Sequence, residues 1–273
     1  MIAFPNAKIN IGLHIVERRP DGYHNLETVF YPIPLHDVLE IVPSRESDNR
    51  LTCYGNAIDC PPEKNLVMKA VRLMQAHHEI PPVDIYLQKI IPHGAGLGGG
   101  SSDAAFALTM LNEMFALDVP DDELAALAAT LGADCPFFVY NRPMMATGIG
   151  DVLTPIELDL HGLTLFLVKP DVNVPTAVAY SHVTPTPGTR DLPRLLAAPP
   201  AQWGDGVSND FEPSVFATYP QLRSIKDALA ARGALYTAMS GSGSAIFALF
   251  DSVKVAEGLR GHFYRCEDYV MPL

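Results

Sequence analysis

Positive charge is scarce in this chain. Nineteen lysines and arginines stand against 31 aspartates and glutamates in 273 residues, a formal net charge of −12. That balance lacks the basic face which nucleic acid or an anionic membrane requires, although it permits a local basic pocket for a small anion. Cysteine is sparse too. Cys53, Cys60, Cys135 and Cys266 show no C-x-x-C spacing, which excludes a disulfide scaffold and a paired-thiolate zinc site. No apolar run reaches the ~18 residues of a membrane-spanning helix. The opening stretch MIAFPNAKIN has no basic leader region. The expectation is a cytoplasmic protein with free thiols and neither a nucleic-acid nor a membrane partner. Apolar material is plentiful, at 48%, with 18% charged residues. That excludes a disordered chain and suffices for one large domain or two smaller ones.

Ile9, Ile11, Leu13 and Ile15 share one parity and predict a strand, ended by the turn Arg18-Arg19-Pro20-Asp21-Gly22. Leu26–Tyr31 and Val38–Val42 read as further strands. Asn65–Gln75 has helical spacing, Val83–Ile91 reads as a strand, and Ser102–Phe115 as a helix. Asp121 or Asp122 is the expected cap of a helix over Glu123–Leu131, ended by Gly132. Beyond Asp151 come a strand (Leu163–Lys169), a Pro/Ala-rich loop (Val183–Gly206), a helix (Tyr219–Arg232) and strands at Ala234–Met239 and Ala245–Phe250. Without a regular β-α beat, the pattern favours α+β over a doubly wound sheet. The expected division is 1–153 and 154–273.

The strongest local feature is Pro92-His93 followed by Gly94-Ala95-Gly96-Leu97-Gly98-Gly99-Gly100-Ser101-Ser102. Glycines let the backbone reach positive φ and approach a ligand closely. The loop runs into a predicted helix, whose unpaired N–H groups favour an anion. Ser101 and Ser102 add hydroxyls able to reach a metal ion. This is a recipe for cradling a di- or triphosphate; a ligand-free strand-to-helix turn needs fewer glycines. No lysine follows the glycines, so it is not a Walker A loop. Gly94–Gly99 satisfies G-x-G-x-x-G, but the β-rich ninety residues before it and the helix pair after it do not suit a dinucleotide fold. H-R-D and D-F-G are absent, which excludes a protein kinase.

The order AKIN (7–10), DGYHNLETVF (21–30), GAGLGGGSSDAA (94–105), GADCPFF (132–138) and SGSGSAIF (240–247) resembles the GHMP small-molecule kinases over most of the chain. The glycine loop carries only the superfamily likeness. R-x-D-G-Y-H and G-A-D-x-P-F-F narrow it to the members that phosphorylate the erythritol 2-hydroxyl of a cytidine diphosphate alcohol in non-mevalonate isoprenoid synthesis. The resemblance implies an N-terminal domain like ribosomal protein S5 domain 2 and a ferredoxin-like C-terminal domain, with the active site between them. It implies ATP as phosphoryl donor; from the residues themselves, the lack of a His/Cys cluster gives no expected protein metal centre, and Mg²⁺ is expected to arrive with ATP, held mostly by phosphates and water with Ser101 nearby. By motif position the resemblance makes Lys8 and Asp134 the catalytic pair and sets Pro92–Ser102 over the ATP phosphates. Asn65 falls on the nucleotide side, and Lys89 is an ATP-side candidate from its own place before the glycine loop. Tyr23 and His24 fall in the cytidine pocket and Asn10 beside the substrate, with Thr176 and Tyr180 of the segment 175–180 also on the substrate side. Homoserine or mevalonate kinases are the nearest alternative, and Asp21-Gly22-Tyr23-His24 argues against them. A nicotinamide-dependent oxidoreductase and a silent nucleotide sensor are the readings from other classes. Oligomeric state is left open.

The residues by themselves leave choices. Asp134 is equally a helix cap before Pro136, and a lysine on a strand, as Lys8 is, is ordinarily a solvated outer-face charge. His24 either meets a base edge or caps the Asp21-Gly22 turn. Tyr23 and Tyr180 suit stacking or a core. Asn65 is a plausible helix cap, and Lys89 either a phosphate ligand or a strand-end charge. Ser240-Gly241-Ser242-Gly243-Ser244 is a hairpin turn or a second amide cradle. Asn209-Asp210-Phe211-Glu212-Pro213 is polar and turn-like and receives no chemistry.

Overall fold

A computed structural model describes residues 1–56, 60–188 and 190–273. In chain order the strands are β1 (Ile2–Ala3), β2 (Asn6–Arg18), β3 (His24–His36), β4 (Val38–Pro43), β5 (Arg50–Gly55), β6 (Val83–Lys89), β7 (Met144–Thr147), β8 (Val152–Pro155), β9 (Thr164–Pro170), β10 (Tyr236–Met239), β11 (Ile246–Phe250) and β12 (Cys266–Pro272). The α-helices are α1 (Leu66–His77), α2 (Gly99–Met114), α3 (Asp121–Ala129), α4 (Cys135–Tyr140), α5 (Thr176–Ser181), α6 (Leu192–Leu196), α7 (Glu212–Thr218), α8 (Pro220–Ala231) and α9 (Val253–Glu257). The mixture is α+β. Two compact units emerge, interleaved along the chain: Met1–Lys8, Leu35–His93 and Gly98–Arg142 form unit one, and Ile9–Pro34, Gly94–Leu97 and Pro143–Leu273 form unit two.

Unit one is a sheet of order β1-β4-β6-β5 with helices on one face. Only the β5–β6 pair is parallel. Val83, Ile85 and Leu87 alternate inward along β6, as period two demands. They join Leu39 and Ile41 of β4 in a core with Val67, Ala70, Val71 and Met74 of α1 and Ala104, Ala107, Leu108 and Leu111 of α2. The alanines of α2 leave room for α1 to lie close.

Unit two holds a sheet of order β10-β11-β9-β12, antiparallel throughout. The run β9, helix, β10, β11, α9, β12 in that order is the ferredoxin-like β-α-β-β-α-β arrangement. Phe166, Val168, Ile246, Ala248 and Phe250 face Leu222, Ile225 and Leu229 of α8. A second sheet, β2-β3-β7-β8, carries the buried residues Ile9, Ile11, Leu13 and Ile15.

Several local expectations change. The second strand does not stop at Tyr31: β3 runs on through Pro32 and Pro34 to His36. The helix after the glycine loop starts at Gly99, not Ser102, because Gly98 at φ +71 turns the chain directly into it. Asp121 and Asp122 lie inside α3, whose cap position is Pro120, so they favour the helix dipole without capping. Within Val183–Gly206 stands α6, capped by the Asp191 side chain; Thr189 of that stretch lies outside the described residues. The turn-like Asn209–Pro213 opens α7, with Pro213 in its first turn.

Candidate active site

In unit one, the third residue of strand β2 is a buried lysine. Lys8 is 3% exposed, and its Nζ lies 3.3 Å from Asp134 Oδ2. Asp134 occupies the cap position of α4 but makes no capping hydrogen bond. Its carboxylate turns to the lysine and keeps about a third of its side-chain surface exposed, at 34%. The helix start fixes the backbone, and Pro136 in the first turn needs no N–H partner. A carboxylate held in this way can meet a hydroxyl from outside, while the ammonium behind it stays dry and strongly coupled.

The glycine loop passes beside this pair. A Cβ on Gly98 would stand 2.8 Å from Phe138 Cζ and 3.2 Å from Lys8 Cε, so only glycine fits that left-handed position. The first turn of α2 then presents the amides of Gly99, Gly100 and Ser101, since the first intrahelical donor toward Gly98 is Ser102. The Ser102 hydroxyl is fully buried with no hydrogen-bond partner among the described residues. Unpaired amides and an orphaned hydroxyl at the start of a 16-residue helix fit a polyphosphate. Ser101 hydrogen-bonds the Cys135 thiol, which burial nonetheless pushes up to about 11, leaving it unreactive.

Lys89 is engaged differently. Its Nζ is bonded to Asp37 and lies 2.6 Å from Asp103 Oδ2, with all three residues buried. Asp37 Oδ1 also accepts the amides of Ile90 and Ile91. The end of β6, the start of the loop and the first turns of α2 are thereby tied together. Burial pushes the Asp103 carboxyl up to about 7 against the pull of Lys89, because one ammonium cannot neutralise two enclosed carboxylates. Asp37 and Asp103 carry no sequence signal; their partner is 52 and 14 residues away. Asn65 caps α1, its Oδ1 accepting from Val67 N at 2.9 Å. Pro92 is buried and His93 exposed.

Unit two carries the other expected residues. Gly94–Leu97 packs against the second glycine turn. Ser240 Oγ donates to the Gly96 carbonyl at 2.8 Å and accepts from Asn10 N at 3.2 Å. The Asn10 side chain donates to Thr28 Oγ1 at 3.1 Å. Ala245 N donates to the Ala95 carbonyl at 3.2 Å. His24 stacks on Tyr180, with centroids 5.0 Å apart at 28°, and Tyr180 sits edge-on to Phe211 at 4.8 Å. Burial, then Arg18, lowers the His24 pKa, which keeps the imidazole neutral at pH 7. Tyr23 is 62% exposed, and its amide donates to Asp21. Thr176 Oγ1 lies 3.3 Å from Ser242 Oγ. Among the described residues, no group of three or more His, Cys, Asp or Glu is placed to hold a metal, and no helix is long and apolar enough to cross a membrane.

Comparisons with known proteins agree with this layout. The family model described as GHMP kinases N terminal domain matches residues 65–142, and GHMP kinases C terminal matches 194–265. The chain is 53% identical over 254 residues to the 4-diphosphocytidyl-2-C-methyl-D-erythritol kinase of Parabacteroides distasonis, covering 92% of each. The crystal structure of a 4-(cytidine 5'-diphospho)-2C-methyl-D-erythritol kinase superposes with a TM-score of 0.84 at 34% identity, over 100% of both chains. A homoserine kinase from Cytophaga hutchinsonii shares the fold, with a TM-score of 0.72 at 19% identity, covering 98% of this chain and 95% of its own.

Proposed function

Because the chain belongs to the GHMP kinases, in the branch of the 4-diphosphocytidyl-2-C-methyl-D-erythritol kinases, we propose that it transfers the γ-phosphoryl group of ATP to the 2-hydroxyl of 4-diphosphocytidyl-2-C-methyl-D-erythritol. The observation that carries this reading is the Asp134 carboxylate, which declines its cap, stays partly open and pairs with buried Lys8, whose side chain lies against Gly98.

The division of labour follows from the chemistry. Phosphoryl transfer needs alignment and charge neutralisation more than covalent help. The acceptor oxygen forms a bond to the γ-phosphorus as the bond to the ADP oxygen breaks. Asp134 orients the hydroxyl and takes its proton. Lys8 holds Asp134 in place and offsets negative charge on the moving group. Gly98–Ser102 and the α2 amides hold the phosphates. Lys89 serves the nucleotide through the loop that it anchors. Mg²⁺, when bound, neutralises phosphate charge; Ser101 and Ser102 are the hydroxyls suited to it, and phosphates and water supply the rest. His24 and Tyr180 offer a neutral imidazole edge and an aromatic face to a pyrimidine, with Tyr23, Asn10 and Thr176 completing the acceptor side. We keep the main ATP-binding role for residues 1–153 and the substrate role for 154–273, with Asn10, Tyr23 and His24 of the first stretch serving the acceptor; His24 stacks on Tyr180 within unit two. We assign the protein to the cytoplasm, in keeping with its four free cysteines.

The test is a panel. Purified protein is given Mg-ATP with the cytidine diphosphate alcohol, homoserine or mevalonate, and ADP is followed. ADP released in step with the cytidine alcohol alone supports the assignment. Turnover only with homoserine or mevalonate would move it to another branch.

A further inference from the structure

The stretch Asn209-Asp210-Phe211-Glu212 carries no chemical assignment from sequence, yet it is built into the backing of the glycine loop. Leu13 pairs with Asn209 in a parallel bridge. Leu13 N donates to Ser208 O, and Asp210 N donates to Leu13 O, both at 2.8 Å. The segment is therefore seated on β2 three residues beyond Asn10. Asn209 is 3% exposed. Its Nδ2 donates to the carbonyls of both Met239 and Gly241, each at 2.8 Å, and its Oδ1 accepts from Phe211 N at 2.9 Å. These contacts allow one amide orientation, because a flipped amide would set oxygen against two carbonyls. Glu212 Oε1 accepts from Met239 N at 2.8 Å. The backbone from Met239 to Gly241 is thus gripped at three points.

That backbone is what the glycine loop rests on. Gly96 sits at φ +77, and a Cβ there would lie 2.0 Å from the Ser240 carbonyl oxygen. Ser240 bonds both Gly96 and the amide of Asn10. A shift of Ser240 therefore moves a phosphate-loop residue and a substrate-side residue together.

We infer that Asn209 is a positioning residue of the kinase reaction, a clamp whose side-chain amide fixes the Ser240–Gly243 turn against Gly96 and Asn10. The reaction itself rests on the function proposed above; the clamp does not.

The near-isosteric variant Asn209→Asp tests it, because it sets a carboxylate against two carbonyls. Hydrogen exchange is measured on peptides covering residues 94–98 and 239–246. We expect roughly tenfold faster exchange there, with other unit-two strands protected. With Mg-ATP and the cytidine alcohol, kcat should fall about 10- to 100-fold, the size of effect that misplacing a reacting group produces. KM for the cytidine alcohol should rise by less than kcat falls, since Asn10 moves with Ser240 while the His24–Tyr180 stack is untouched. The loss relative to wild type should shrink toward pH 6, where the introduced carboxyl, once protonated, can donate again. Leu229→Ala, in the same unit's core, should lower thermal stability with kcat unchanged, separating a general loss from a positional one. Unchanged exchange in both peptides, or kcat within about twofold of wild type, would overturn the clamp. If Asn209→Asp does not fold, Ser240→Ala removes the next link and must show the same kcat loss; wild-type kcat there overturns the inference equally. Exchange is read without turnover. A wild-type protein inactive on the cytidine alcohol would therefore strike the proposed reaction, while the exchange result still decides the clamp.

Discussion

Gly96→Ala puts a number on the close approach of the two glycine turns. The residue sits at φ +77, where an L side chain costs about 1–2 kcal/mol. The added methyl would stand 2.0 Å from Ser240 O and 2.8 Å from Ser240 C. Both are backbone atoms, so no rotamer change relieves the overlap, and forcing apart a packed contact of this kind costs a further ~1–3 kcal/mol. The sum is roughly 2–5 kcal/mol, and for a chain of this size it corresponds to a fall in Tm of about 4–10 °C. The strain is relieved only by moving Gly96 or Ser240, so kcat/KM for ATP should drop about 100-fold in molecules that remain folded. Gly162→Ala is the comparison. It has φ +86 with nothing within 4 Å of the added carbon, so it isolates the left-handed penalty. Its Tm should fall by about 2–4 °C with kcat/KM unchanged. Thermal melts and initial-rate kinetics on the two variants decide the matter. If Gly96→Ala keeps kcat/KM within about twofold of Gly162→Ala, the packing argument is wrong.

Two further outcomes follow from the same geometry. Asp103 has its carboxyl raised to about 7 in the folded chain. The folded state therefore binds more protons than the unfolded state between about pH 4 and pH 7, and this carboxyl makes stability fall as pH rises through that window. Asp103→Asn should flatten the fall, which is at most about 4 kcal/mol, in urea unfolding at pH 5 and pH 8; a pH dependence identical to wild type refutes the assignment. Tyr180→Ala removes the ring that faces His24 and Phe211, so KM for the cytidine alcohol should rise roughly tenfold while KM for ATP stays put. A rise in both alike would place Tyr180 in folding and not in pyrimidine recognition.

Much of this molecule is legible in its sequence, and the gaps have physical reasons. The cradle at 94–102 is local: glycine frequency, a preceding strand and a following apolar helix are adjacent in the chain. The start of α2 is mis-set from sequence because glycine is penalised in helix interiors, whereas here Gly99 and Gly100 are held in the first turn by the αL residue before them. Pro32 and Pro34 hide the second half of β3 for a similar reason. β5 is missed because almost none of it is buried, so its alternation has no hydrophobic trace. The pairing of Lys8 with Asp134 spans 126 positions, and residue chemistry alone leaves each of them an ordinary strand charge or cap; only the family resemblance joins them. The Lys89–Asp37–Asp103 cluster and the Asn209 clamp are silent because the contacts that define them, Lys89 to Asp37 and Asp103 and Asn209 Nδ2 to Met239 and Gly241, are made by folding and not by local sequence.

The most direct measurement is the turnover of Asp134→Asn with Mg-ATP and the cytidine diphosphate alcohol, alongside its affinity for ATP. Asparagine preserves shape but cannot take the hydroxyl proton or balance Lys8. The account predicts a kcat lower by about 10²–10⁴ with ATP affinity within about threefold of wild type. Turnover near the wild-type rate would contradict it.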